Sequence, residues 1–118
     1  MKFFTFHQNN SFGRYVTDAK VTFNVIIEAG NASHAKMLAE QIGIYFNGCR
    51  DGRDCSCCGD RWHEPWDEGD DVPSIYSTPI TEDHKLNLEY VAPIKEDRAA
   101  HVYVYRYPPN EPEAWEEV

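Results

Sequence analysis

All four cysteines of the sequence, Cys49, Cys55, Cys57 and Cys58, lie within ten positions of one polar segment. Cys55 and Cys58 have the C-x-x-C spacing, and Gly59 follows directly. In a zinc knuckle of this form two thiolates bind one ion, the amides of the turn point at the sulfurs, and the glycine permits a positive φ. The spacing therefore predicts a zinc-binding turn at residues 55–59, called the knuckle below.

A tetrahedral zinc ion needs two further ligands. The preferred set is Cys49, Cys55, Cys58 and His63, with Cys57 as a possible substitute. Four protein ligands would give a closed structural site, whereas three would leave a position at which water is activated. The cysteines lie in a long segment without periodicity, which has few other means of ordering itself, so the prediction is a structural zinc.

Two alternatives to zinc remain open. The cysteines could be reduced thiols without a metal, or Cys55 and Cys58 could form a redox dithiol. Redox C-x-x-C motifs normally start a helix, and Gly59-Asp60 does not favour one. A disulfide between the neighbours Cys57 and Cys58 would close a strained ring. The sequence favours zinc over both alternatives.

A second group of polar residues could bind a small molecule or perform acid–base chemistry. It consists of His7, Asn9, Asn10, Asp60, Arg61 and Trp62. The structural alternative is a polar hairpin turn, an Asp–Arg ion pair, and Trp62 packed on the knuckle, and turn composition favours it. No phosphate loop, nucleophile elbow or helical His pair is present, so the sequence favours binding over catalysis. A small metal-dependent enzyme using His7, Asp60, Arg61 and His63 remains the alternative.

Apolar periodicity predicts the elements that position these residues. Ala32 to Ile42 has the one-face spacing of a helix, with Asn31 as its N-cap and Gly43 at its C-terminal end. Strands are predicted at 3–7, 21–29, 44–46, 74–76, 86–91 and 101–107. The predicted fold is α+β: a mixed or antiparallel sheet of about 4–6 strands packed by one main helix.

The length of 118 residues fits a single domain. We assign residues 1–109 to this domain, including the cysteine-rich loop at 47–74, and residues 110–118 to an acidic C-terminal tail. A hydrophobic content of 42% with 14% aromatics is sufficient for one core.

The charge balance constrains the partners. Lys and Arg number 11 against 20 Asp and Glu, a formal charge of −9, which argues against binding nucleic acid. The acidic clusters indicate either a solvated surface or a face that contacts a basic protein.

No apolar stretch approaches the ~18 residues of a spanning helix, so no membrane partner is expected. The N-terminus becomes polar too early for a signal peptide, which predicts a cytoplasmic location. Nothing fixes an oligomeric state.

Several segments together resemble a family of small accessory proteins of tailed bacteriophages, to which no activity is assigned. The resemblance rests on Phe6-His7-Gln8-Asn9-Asn10-Ser11, Gly43-Ile44-Tyr45-Phe46 and Asp54-Cys55-Ser56-Cys57-Cys58-Gly59-Asp60-Arg61-Trp62. It covers roughly the first sixty residues, and the last of these strings is its most distinctive part. The resemblance implies an accessory protein that acts in the cytoplasm of a host bacterium. Together with the small size, the acidity and the lack of enzyme motifs, it favours a module that binds or inhibits a host component.

Overall fold

The computed structural model describes residues 1–9, 13, 15–65, 68–75, 78–79, 102–108 and 113–115. Its elements are β1 (Lys2–His7), β2 (Asn24–Ala29), α1 (Ala32–Gln41), β3 (Ser74–Ile75), β4 (Thr78–Pro79), β5 (Val102–Tyr105) and β6 (Glu113–Trp115). Four strands form one sheet in the order β1-β2-β5-β6, and β3 and β4 form a separate small hairpin. The pairs β1–β2 and β5–β6 are antiparallel, while β2–β5 is parallel. The predicted α+β class is confirmed.

Local sequence explains both ends of α1. The side chain of Asn31 accepts a hydrogen bond from the amide of His34 at 2.8 Å, so it caps the first turn as predicted. At the other end Gly43 has a φ of +104°, its amide donates to Glu40 O, and the Ile44 amide donates to Ala39 O. This pair of bonds is a Schellman motif, which satisfies carbonyls that the helix leaves open.

The sheet buries both of its faces. Phe4, Phe6, Val25 and Ile27 belong to the larger core cluster, together with the buried face of α1. Phe3, Ile26, Val102, Val104 and Ile75 of the hairpin form a second cluster. The alternation of apolar residues in 21–29 predicts one buried face. In the structure the opposite face of β2 is buried as well, because Asn24 and Ile26 lie on the side of the second cluster.

Two segments differ from the sequence prediction. The residues 44–46 do not form a strand; Ile44 is buried after the Schellman turn, and the parallel partner of β2 is β5. Within the segment predicted to be an acidic tail, Glu113–Trp115 pairs with β5 as an edge strand. The predicted strand at 86–91 lies outside the described residues.

Candidate functional site

The knuckle is a tight turn closed by its own backbone. The amides of Cys58 and Gly59 both donate to the Cys55 carbonyl, at 3.1 and 3.2 Å. Gly59 has a φ of +88°, a conformation that glycine adopts without a Cβ penalty. The Sγ atoms of Cys55 and Cys58 lie 3.3 Å apart. The C-x-x-C-Gly pattern therefore forms the turn that its spacing predicts.

Hydrogen bonds converge on the sulfur of Cys55. The pKa of this thiol is lowered from its usual value, first by the hydrogen bond with the Cys58 thiol and then by the backbone amides of Cys57 and Cys58. Donors of this kind stabilise the thiolate, which is the form that binds metal. Amides directed at a cysteine sulfur are also the arrangement that a zinc knuckle requires.

Cys49 lies next to the knuckle but is oriented differently. Its Sγ donates to the carbonyl of Cys55 at 3.3 Å, and its amide donates to Asp60 Oδ1 at 2.9 Å. Partial burial raises the pKa of the Cys49 thiol, and the nearby carboxylate of Asp60 raises it further. Cys49 is thus held as a neutral thiol that is directed at a carbonyl, and a rotation of its side chain would be needed to bring it onto the sulfur pair.

The remaining predicted ligands are on the surface. His63 and Cys57 are both exposed. Over the described residues, no three His, Cys, Asp or Glu side chains are grouped in a way that could hold a metal ion. The structure therefore brings together two of the four predicted ligands, Cys55 and Cys58. The metal-binding role of all four residues stays a prediction.

A buried ion pair anchors the segment that carries the knuckle. Arg61 Nε lies 3.8 Å from Asp54 Oδ1, and the two side chains are 6% and 0% exposed. Asp54 also accepts hydrogen bonds from the Arg61 amide at 2.9 Å and from the Tyr45 hydroxyl at 2.6 Å. Arg61 Nη1 donates to Gln8 Oε1 at 3.1 Å. We call Gln8, Tyr45, Asp54 and Arg61 the buried polar network. It satisfies much of the hydrogen-bonding capacity of two charges that would otherwise be costly to bury.

The end of β1 connects this network to the knuckle. Asn9 Nδ2 donates to the Cys58 carbonyl at 2.7 Å, and the Asn9 amide donates to the Arg61 carbonyl at 2.6 Å. Gln8 is buried, and its Nε2 donates to the carbonyls of Val16 and Thr22. The end of β1 and the cysteine segment therefore meet. Asn10 lies outside the described residues.

Several of the polar residues considered for ligand binding serve as internal supports. Trp62 is 2% exposed within the larger core, and Arg61 is 5% exposed. The ion pair expected between neighbours Asp60 and Arg61 is replaced by the Asp54–Arg61 pair, since Asp60 accepts from Cys49 instead. Sequence reasoning gave no role to Gln8, Tyr45 or Asp54. The residues next to Asp54 in the sequence do not indicate that it is buried, because the segment contains several other charged residues of the same kind.

His7 is half-buried at the end of β1, where its Nδ1 lies 2.6 Å from Asn24 Oδ1 across the strand pair. Burial lowers the pKa of His7; the hydrogen bond to Asn24 partly opposes this, and the neighbouring His63 adds to the lowering. In the unfolded chain a histidine titrates near pH ~6.5. Because the pKa of His7 is lower in the folded state, the unfolded state binds more protons than the folded state as the pH falls below ~6.5.

We expect the free energy of unfolding to fall as the pH is lowered from ~6.5 towards ~5, and part of this slope to come from His7. Denaturant unfolding of the wild type and of His7→Gln over this range measures the contribution. The variant is expected to show the shallower slope. Identical slopes would mean that His7 is protonated equally easily in both states.

These features define a small α+β domain in which a cysteine turn is fixed to a buried ion pair. The chain belongs to the family described as Domain of unknown function (DUF7296), whose model matches residues 1–108. No curated protein and no solved structure shows a significant match. Within the part of the chain that the structure describes, no helix has the length and apolarity needed to cross a membrane.

Proposed function

We propose that this protein is a binding module: zinc orders its cysteine-rich loop, and its acidic surface contacts a basic protein of the host. In this proposal it is an accessory protein of a tailed bacteriophage that acts in the bacterial cytoplasm. The observation that carries the metal part is the knuckle, with two sulfurs at 3.3 Å and backbone amides directed at Cys55. The resemblance in sequence supports the phage part.

Within this proposal Cys55 and Cys58 provide two thiolates, and Cys49 and His63 complete the site. Thiolate and imidazole are the ligands that structural zinc prefers. The buried polar network and the Asn9–Cys58 bond already fix both ends of the turn. A metal bound there would crosslink a loop that contains few apolar anchors, which is the role of a structural site.

The purified protein is expected to contain about one zinc per chain, the content of a single knuckle site. Elemental analysis of the wild type and of Cys55→Ser and Cys58→Ser measures it, and both variants should lose the metal. Cys57→Ser is the matched control, because it removes an exposed thiol of the same turn. A zinc content that is unchanged in Cys58→Ser, or the absence of metal from the wild type, would contradict the proposal.

The partner is proposed from charge. Exposed acidic residues in the described part include Asp18, Glu40, Asp51, Glu64, Glu68 and Asp71. Three basic residues form surface ion pairs with this set: Lys2 with Asp71, Lys36 with Glu64, and Arg50 with Asp51. The chain nevertheless keeps a formal charge of −9. A surface of this kind speeds encounter with a basic protein and repels nucleic acid.

The Lys36–Glu64 pair allows a controlled test of the charge. Glu64→Gln and Lys36→Gln break the same exposed pair but change the net charge in opposite directions. A protein captured from bacterial cells is expected to bind more weakly to Glu64→Gln and more tightly to Lys36→Gln. Binding should also weaken as salt rises above ~0.1 M, where the screening length is ~10 Å. Equal effects of the two variants, or association with neutral small molecules only, would contradict the proposed partner.

A further inference from the structure

We propose that Cys55 and Cys58 form a reversible disulfide by exchange with a low-molecular-weight disulfide such as oxidised glutathione. The two sulfurs are already 3.3 Å apart. Cys58 is exposed, so a small disulfide can reach it, and Cys55 lies half-buried beside it. This inference goes beyond the proposed function and does not depend on bound zinc.

The surroundings disfavour a disulfide of Cys49 and one between Cys57 and Cys58. The Sγ of Cys49 donates to the Cys55 carbonyl rather than to a sulfur. Cys57 and Cys58 are neighbours, and their disulfide would close a strained ring. The sulfurs of Cys55 and Cys58 need to approach to the ~2.05 Å of a disulfide, which a rotation of the exposed Cys58 side chain can supply.

The backbone of the turn is compatible with both redox forms. Its closure depends on the amides of Cys58 and Gly59 donating to Cys55 O, and on Asn9 holding the Cys58 carbonyl. None of these bonds uses a sulfur atom. The disulfide can therefore form and be reduced while the turn and the buried polar network keep their contacts.

The exchange takes place in two displacement steps. Once the Cys58 thiol has lost its proton to solvent, the resulting thiolate attacks one sulfur of the small disulfide, and the S–S bond of that disulfide breaks to release one small thiolate. The Cys55 thiolate then attacks Cys58 Sγ, which forms the protein disulfide and releases the second small thiolate. The two protons of the protein thiols pass through solvent to the two released thiolates. The protein pair is oxidised by two electrons, and the small disulfide is reduced.

Formation of the disulfide would remove both knuckle thiolates as metal ligands, because only the thiolate binds zinc. In a zinc-loaded protein the reaction would therefore release the ion.

The test is to incubate the folded protein with oxidised glutathione at pH ~8, where an ordinary free thiol is partly ionised, and to map the disulfides by mass spectrometry of proteolytic peptides. We expect a Cys55–Cys58 disulfide that dithiothreitol reverses, with Cys49 and Cys57 still reduced. Cys57→Ser should react like the wild type. Cys55→Ser should instead accumulate glutathione on Cys58, because the resolving thiol is absent.

Zinc release is recorded separately with a chromophoric indicator, so a protein without zinc still gives a result on the disulfide. Three outcomes would overturn the inference: disulfides mainly between other cysteine pairs or between chains, no reaction in the folded protein, or a rate no higher than that of the chain unfolded in guanidinium. The unfolded chain has the same spacing of cysteines but lacks the geometry of the turn, so the comparison of rates isolates the effect of that geometry.

Discussion

Replacement of Asp54 by alanine is expected to lower the free energy of unfolding by about 3–5 kcal/mol. The variant keeps Arg61 in place, with a side chain that is only 6% exposed, and removes the carboxylate that faces it. An unpaired buried guanidinium is far more costly than a missing surface contact. A loss of this size is a large fraction of the ~5–15 kcal/mol that stabilises a typical domain.

Two control variants separate the buried charge from other losses. Tyr45→Phe removes one hydrogen bond to Asp54, and we expect it to cost about 0.5–1.5 kcal/mol. Asp51→Ala breaks the exposed pair with Arg50 and should leave the free energy of unfolding almost unchanged. Denaturant unfolding followed by circular dichroism gives all three values. If Asp54→Ala costs no more than Asp51→Ala, the Asp54–Arg61 pair does not anchor the loop.

Substitution of Gly48 by alanine should also be strongly destabilising. A Cβ atom at this position would lie 1.8 Å from Asp54 Oδ2 and 2.9 Å from Tyr45 Cε2. The Gly48 carbonyl accepts from the amides of Arg53 and Asp54, so the backbone cannot easily move away. Overpacking alone costs about 1–3 kcal/mol, and displacement of the Asp54 carboxylate from its donors adds to this.

A double-mutant cycle tests whether the clash acts through Asp54. Gly48→Ala combined with Asp54→Ala is expected to cost less than the sum of the two single changes, because the second removes the atoms that the first overlaps. Gly30→Ala is the control, since its Cβ would meet only His34 Nδ1 at an ordinary 3.6 Å. If the two costs are additive, Gly48→Ala does not destabilise the protein through its overlap with Asp54.

The sequence by itself determined the features that depend on a few consecutive residues. Apolar spacing and the flanking Asn31 and Gly43 predicted α1 to within one residue at its C-terminal end. The spacing of Cys55, Cys58 and Gly59 predicted the turn that the structure shows. Such features are readable because caps and tight turns are formed by neighbours in the chain.

The tertiary structure decided which distant residues meet. The parallel pairing of β2 with β5 joins segments far apart in sequence, whereas the strand predicted at 44–46, close to β2 in the chain, does not form. Contact with the second cluster decided that β2 is buried on both faces.

Only the tertiary structure also identified the anchor of the candidate site. It decided that Arg61 is buried against Asp54 and Gln8 rather than exposed for a ligand, and that Cys49 is directed at a carbonyl. Burial of a charge depends on what the rest of the chain places around it. From the sequence alone, a polar loop residue that stabilises the fold therefore cannot be distinguished from one that lies in solvent.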